Sequence, residues 1–282
     1  MIQNFLSSWN LFYQSYLTGW LISLLLSLIG VLVVARDQIF IGAAISQTST
    51  LGIALTMWAA TLPSLSQIGW FQSNLFLSTT AVAFSVLAAS LTARAGEIGK
   101  ESHEAITGWV FLISASLSIL IVSHSPHGLE EIHRLLSSSI IGATVVDIWI
   151  FGSLTLLTAA LFMFLHRKIL LFALDPSMAI AVGMKIVHWN LMTSAWLGLA
   201  IGLSIRASGM LYTFGCLVLP ALVAKNLCRQ VRNMFFVSPV VAVGTGVIGF
   251  ILANQYDYPP GQLTVALLCF LLMIAWILRR LR

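Results

Sequence analysis

Long apolar runs, repeated from one end of the chain to the other, restrict this sequence more than any motif in it. Hydropathy marks nine candidate spans, at roughly 16–35, 39–62, 74–93, 105–123, 145–165, 189–206, 209–225, 235–253 and 262–278. About 20 mostly apolar residues cross the hydrocarbon core of a bilayer as a helix. Of the 282 residues, 59% are hydrophobic and only 8% charged, against about 25% charged in soluble domains. That balance excludes an ordinary soluble enzyme and a disordered chain. The expected fold is all-α: a polytopic membrane protein with eight or nine transmembrane helices in one transmembrane domain over residues 1–282. The two runs between 189 and 225 are short and separated only by Ala207-Ser208-Gly209. They read either as a helical hairpin or as one span plus a re-entrant segment. Residues 1–13, with Trp9, Phe12 and Tyr13, read as an interfacial helix carrying aromatic anchors.

The basic residues set the orientation. With the N-terminus outside, the inner connections hold Arg36; Arg94 and Lys100; Arg167, Lys168 and Lys185; and Lys225, Arg229 and Arg232. The inner tail holds Arg279, Arg280 and Arg282, so 12 of the 14 Lys and Arg lie on one face. Sorting of positive charge to the inner face predicts nine crossings, N-out and C-in. It also accounts for the net charge of +5 without a nucleic-acid partner. No Lys or Arg precedes Arg36, so the basic start of a cleavable signal peptide is missing and the first span is expected to be retained. Cys216, Cys228 and Cys269 show no CxxC spacing, which argues against a disulfide framework or a zinc knuckle. Gly198-x-x-x-Gly202 and Ala242-x-x-x-Gly246 let helix backbones approach closely, within the chain in preference to a dimer seam.

The predicted spans lack the groups that intramembrane chemistry needs. No Lys, Arg, Glu or His sits in the middle of one, and Asp147 and Arg206 fall near outer ends. Proton relays and ion coupling normally rely on such residues. No carboxylate pair, Ser with a base or set of metal-binding His can be assembled for hydrolysis. Gly99-Lys100-Glu101-Ser102 only echoes a phosphate-binding loop, without the upstream glycine or the Lys-Ser/Thr adjacency. Uphill transport would therefore draw its energy from another subunit.

Three segments could carry function. The second span contains Ser46-Gln47-Thr48-Ser49-Thr50, five polar residues in an apolar helix. Ala43, Ser46, Gln47 and Thr50 share one helical face. Ser46, Gln47 and Thr50 either line a translocation pathway or bond across and back along helices. The inner connection, 166–190, contains Asp175-Pro176-Ser177-Met178-Ala179-Ile180-Ala181-Val182-Gly183. Asp175 reads as an N-cap, Pro176 as the first helical residue and Gly183 as the stop. This short helix either docks into a partner's groove or lies on lipid. The outer connection places His124, His127, Glu130, Glu131 and His133 within ten residues. Those side chains offer ligands for Zn²⁺ or Mn²⁺, but the spacing fits a solvated amphipathic helix with a Glu130–Arg134 pair better.

In this order the segments resemble the integral membrane subunits of the zinc/manganese/iron class of bacterial ABC importers. The resemblance rests on Gly30-Val31-Leu32-Val33-Val34-Ala35-Arg36, Gly42-Ala43-Ala44-Ile45-Ser46-Gln47, Leu51-Gly52-Ile53-Ala54 and Glu104-Ala105-Ile106-Thr107-Gly108. It continues through the Asp175–Gly183 loop, Gly209-Met210-Leu211-Tyr212, Leu217-Val218-Leu219-Pro220-Ala221 and Tyr258-Pro259-Pro260-Gly261. It implies a multi-pass permease of the bacterial cytoplasmic membrane, without ATPase motifs of its own. The implied partners are cytoplasmic ATP-binding subunits, a second permease chain (identical or a paralogue) and an external metal-binding protein. Asp175, Pro176, Ala179, Ala181 and Gly183 would touch the ATPase. The divalent metal would be cargo, with no cofactor held by this chain.

The resemblance also implies a metal site in the second span, where many members read Gly-Asp-Ala-x-Ser-His. Here Ala43 and Gln47 stand at the Asp and His positions. Either a paralogue supplies the ligands or the cargo differs, for instance a chelate. The alternative function is a stand-alone facilitator or secondary carrier for a metal or small solute.

Overall fold

In hydrocarbon every backbone N–H and C=O must find its partner within its own segment, so apolar runs of this length close into helices. The computed structural model describes residues 2–60, 74–98, 102–123 and 140–280. In chain order the helices are α1 (Ile2–Ala35), α2 (Ile39–Ala60), α3 (Asn74–Ile98), α4 (His103–Ser123), α5 (Val145–Leu174), α6 (Pro176–Ala181), α7 (Ile186–Leu227), α8 (Val231–Tyr256) and α9 (Pro260–Arg280). A single 3₁₀ turn, Ile140–Gly142, precedes α5. No strand occurs among the described residues. Among the described residues, eight helices are long and apolar enough to cross a membrane, as the all-α polytopic reading expects.

Two extents differ from the hydropathy reading. The expected interfacial segment is continuous with the first span, because α1 starts at Ile2 and contains 34 residues. Helix α5 runs to Leu174 rather than ending near 165. His166, Arg167 and Lys168 leave the apolar run without leaving the helix, since Arg and Lys are good helix formers and their stems can snorkel.

The two expected short spans form one continuous element, α7, with 42 residues. Unbroken, it would measure about 63 Å, twice the hydrocarbon thickness of about 30 Å. It is broken at Gly209, with φ 80° and ψ 168°. That region of backbone space is essentially closed to residues with a Cβ. The halves, 186–208 and 210–227, match the expected pair of spans.

The chain divides into two compact units. In the first, comprising residues up to 38, 139–184 and 211–282, α1 is the buried element. Ile22, Leu25, Leu26, Val31 and Val34 are fully buried. Neighbouring helices satisfy spare acceptors along it: the Tyr212 hydroxyl donates to the Gly19 carbonyl at 2.9 Å, and the Ser238 hydroxyl to the Ser27 carbonyl at 3.1 Å. Gly30 meets the Leu217 carbonyl so closely that a Cβ there would overlap the oxygen. Asp37 ends α1 in the left-handed region at φ 52°, which a short polar side chain tolerates. Its carboxylate sits 2.8 Å from the Lys225 ammonium. Gly19 and Asp37 thus follow α1 in the order that Tyr212 and Lys225 follow the second half of α7, and the two run in the same sense.

The second unit comprises 39–138 and 185–210. There the first half of α7 packs on α3. A Cβ at Gly198 would lie 2.8 Å from the Ser85 carbonyl oxygen, and one at Gly202 would lie 2.8 Å from the Val82 Cα. The Gly-x-x-x-Gly pair therefore serves packing within the chain. The Asn190 amide donates to the Ala93 carbonyl at 3.2 Å, so this half of α7 is antiparallel to α3. Thr48 and Ser114 hydroxyls meet at 2.9 Å and tie α2 to α4.

Packing at Gly30 yields a paired prediction. Gly30→Ala should destabilise the purified chain by about 1–3 kcal/mol through overpacking, read as a lower thermal midpoint in detergent. Gly244→Ala, where an added Cβ would meet nothing within 4 Å, should hold or raise the midpoint, because Ala favours helix by about 1 kcal/mol over Gly.

Candidate functional site: a neutral strip and a capped loop

Helix α2 carries the strip. The Thr50 hydroxyl donates back to the Ser46 carbonyl at 3.1 Å, and the Thr48 hydroxyl does the same to the Ala44 carbonyl at 2.8 Å. Such back-bonding lets a hydroxyl sit in an apolar helix without an outside partner. Ser46 and Ser49 are fully buried, and neither hydroxyl has a hydrogen-bond partner among the described residues. Gln47 is half-buried, and its Nε2 points at the Met210 sulfur, 3.3 Å away. A thioether is a weak acceptor, so the amide keeps most of its hydrogen-bonding capacity. Met210 follows the Gly209 break directly, so the strip adjoins the most constrained backbone position in its unit.

The strip is electrically neutral. Ala43 is buried and offers no ligand. Hydroxyl and amide oxygens can solvate a cargo, but they replace neither the charge of a carboxylate nor the affinity of an imidazole for a transition metal. Among the described residues no three His, Cys, Asp or Glu side chains come together as a metal-binding group. The outer cluster of His124, His127, Glu130, Glu131 and His133 lies outside the described residues. Asp147, near the outer end of α5, accepts from the Thr144 backbone N–H at 2.8 Å and the Thr144 hydroxyl at 2.7 Å. It serves the start of its helix.

The inner loop has the geometry that its sequence specifies. Asp175 Oδ1 accepts from the Met178 backbone N–H at 2.9 Å and from the Ser177 hydroxyl at 2.5 Å. Pro176 opens α6. Gly183, at φ 85°, closes it: its N–H donates to the Ile180 carbonyl at 2.8 Å, and the Met184 N–H reaches the Ala179 carbonyl at 3.0 Å. That pair of bonds is a Schellman stop. Ala179 is fully buried and anchors the helix, which packs back on α5. Met178, Ile180 and Val182 are 55%, 63% and 67% exposed. The loop therefore presents a rigid apolar knob beyond the end of a span.

The hydrogen bond from Ser177, followed by that from Met178, holds the Asp175 carboxyl below the ordinary aspartate value of 3.8. A depressed pKa means that the cap contributes fully above that ordinary value and is lost as pH falls through the lower, folded value.

Sequence reasoning did not find the Gln47–Met210 contact, the two orphan hydroxyls or the exposed knob. Ala207-Ser208-Gly209 did mark the break beside Met210, and the run of five polar residues marked the strip.

Residues 8–279 match the ABC 3 transport family. This chain belongs to that family. Among curated relatives, the manganese import system permease protein ScaB of Streptococcus gordonii is 23% identical over 98% of this chain and 95% of its own length. The chelated iron transport system membrane protein YfeD of Yersinia pestis is 24% identical over 86% of this chain and 77% of its own. Among solved structures, PsaBC from Streptococcus pneumoniae in complex with Fab superposes with a TM-score of 0.79 at 18% identity, covering 98% of this chain and 95% of that one. The fold is that of this neighbour.

The cap makes the next prediction. Asp175→Ala should speed amide hydrogen exchange across 177–181, while Asp175→Asn, also a good cap, should keep wild-type protection. In the wild type, protection should be full above pH 3.8 and be lost as pH falls on through the lower, folded value. In Asp175→Asn the acid collapse should be absent.

Proposed function

We propose that this chain is the membrane-spanning subunit of an ATP-driven importer for a divalent transition metal in the bacterial cytoplasmic membrane. The match to the ABC 3 transport family over residues 8–279 carries the reading. The names of two relatives, a manganese import permease protein and a chelated-iron transport membrane protein, support the cargo class. The strip fits a route along which cargo is solvated by neutral oxygens from Ser46, Gln47 and Thr50. A bare dication is expensive to dehydrate against neutral groups alone. The cargo therefore travels past this chain as a chelate, or a paralogous permease chain contributes the anionic and imidazole ligands. An external metal-binding protein delivers it at the outer mouth.

Energy enters at the inner face. Asp175, Pro176, Ala179, Ala181 and Gly183 form the capped loop, and its knob of Met178, Ile180 and Val182 seats in a groove of the ATPase subunit. Nucleotide binding and hydrolysis in that partner bias two states of the permease, outward- and inward-facing.

Two measurements test this. Affinity purification of the tagged chain from its native cell should recover an ATP-binding subunit, and deletion of 175–183 should abolish recovery while leaving the chain in the membrane. Retained recovery would refute the docking role. In cells carrying the whole transporter, Gln47→Leu should lower metal uptake roughly fivefold at subsaturating metal, the equivalent of one hydrogen bond of about 1 kcal/mol. Unchanged uptake would remove Gln47 from the route.

A further inference from the structure

The inner end of α9 forms a cleft of about 600 Å³ lined by Asn226, Met273, Trp276, Ile277, Arg279 and Arg280. We propose that it is a binding site for the headgroup of an anionic phospholipid of the inner leaflet.

The cleft changes character along its length as a phospholipid does. Met273, Trp276 and Ile277 are 48%, 53% and 52% exposed. They precede Arg280 at helical spacing, so one face of α9 passes from apolar to basic within two turns. Trp276 sits where an indole favours the headgroup boundary. At the basic end, Arg279 Nη1 donates to Asn226 Oδ1 at 3.1 Å. That bond holds the guanidinium at the mouth of the cleft and leaves further N–H groups of its fork free for phosphate oxygens. Neither Arg279 nor Arg280 pairs with a carboxylate among the described residues. Lys225, next to Asn226 in the chain, is already matched by Asp37. Arg279 and Arg280 therefore bring to the cleft two guanidinium charges that no carboxylate among the described residues offsets.

The occupant follows from both halves of the site. A small inorganic anion would satisfy the arginines but leave the apolar wall uncovered. A zwitterionic lipid would cover the wall but bring no net charge to the arginines. An anionic phospholipid does both, and the charge sorting of the chain places residues 279–280 at the inner face, whose anionic surface attracts basic groups.

The test uses the full-length chain in neutral detergent, with native mass spectrometry of retained phosphatidylglycerol against phosphatidylcholine. The wild type should retain phosphatidylglycerol preferentially. Arg279→Gln with Arg280→Gln should lower that preference by about tenfold to thirtyfold. Arg167→Gln with Lys168→Gln, which alters basic residues outside the cleft, should leave it unchanged. The single variant Arg280→Gln, whose guanidinium makes no bond to the fold, should give an intermediate loss and is the deciding variant if the double one does not fold. Equal retention of both lipids by the wild type would overturn the site. An equal effect of the Arg167/Lys168 pair would overturn it in favour of diffuse surface charge. Displacement of phosphatidylglycerol by millimolar inorganic phosphate would overturn the lipid assignment in favour of a free-anion site.

Discussion

Hydrocarbon offers the backbone no hydrogen bonds, and this condition governs how the helices are built and where they touch. Once each helix is internally satisfied, hydrophobicity no longer drives one against another, and close packing with a few polar contacts must hold them together. The first unit does this around α1. Gly30 admits the Leu217 carbonyl, while the Tyr212 and Ser238 hydroxyls reach carbonyls at Gly19 and Ser27. The second unit repeats the device with different residues, using Gly198 and Gly202 against α3 and a Thr48–Ser114 hydroxyl pair between α2 and α4. Each contact depends on the absence of a Cβ or the presence of a short hydroxyl, so the small residues of this chain carry its specificity.

The same condition shapes function. A charged group in the strip would demand a partner or a shifted pKa, and the strip has none. In the proposed function, neutral oxygens on α2 would give cargo a smooth route with no binding energy to trade for work. Work would then enter from elsewhere, and the capped α6 is the stiff element proposed to transmit it. Its stiffness is local chemistry: a carboxylate cap at one end, a Schellman glycine at the other and a buried alanine between them. Gly209 is the complementary feature, a backbone setting closed to other residues at the break in α7 beside Met210.

Much of this was legible in the sequence because it depends on local rules. Apolar runs located the spans, and Asp175, Pro176 and Gly183 specified α6 before any coordinates. Gly198 and Gly202 declared a close contact, although not with which helix. What stayed hidden depends on distant residues. Met210 has no polar signature, and nothing in α2 points 163 positions along the chain to its sulfur. The orphan hydroxyls of Ser46 and Ser49 are defined by what surrounds them. Helix extents were misread at α1 and α5 because hydropathy reports contact with lipid, whereas a helix continues for as long as its residues tolerate it.

In the proposed function this chain conducts and its partner drives. Reconstitution into sealed liposomes, with accumulation of radioactive or dye-reported metal measured against a gradient, tests that most directly. The account predicts no concentrative uptake by this chain without the ATPase, and uptake once the complete complex and ATP are supplied. Uphill accumulation without the nucleotide-hydrolysing partner would contradict it.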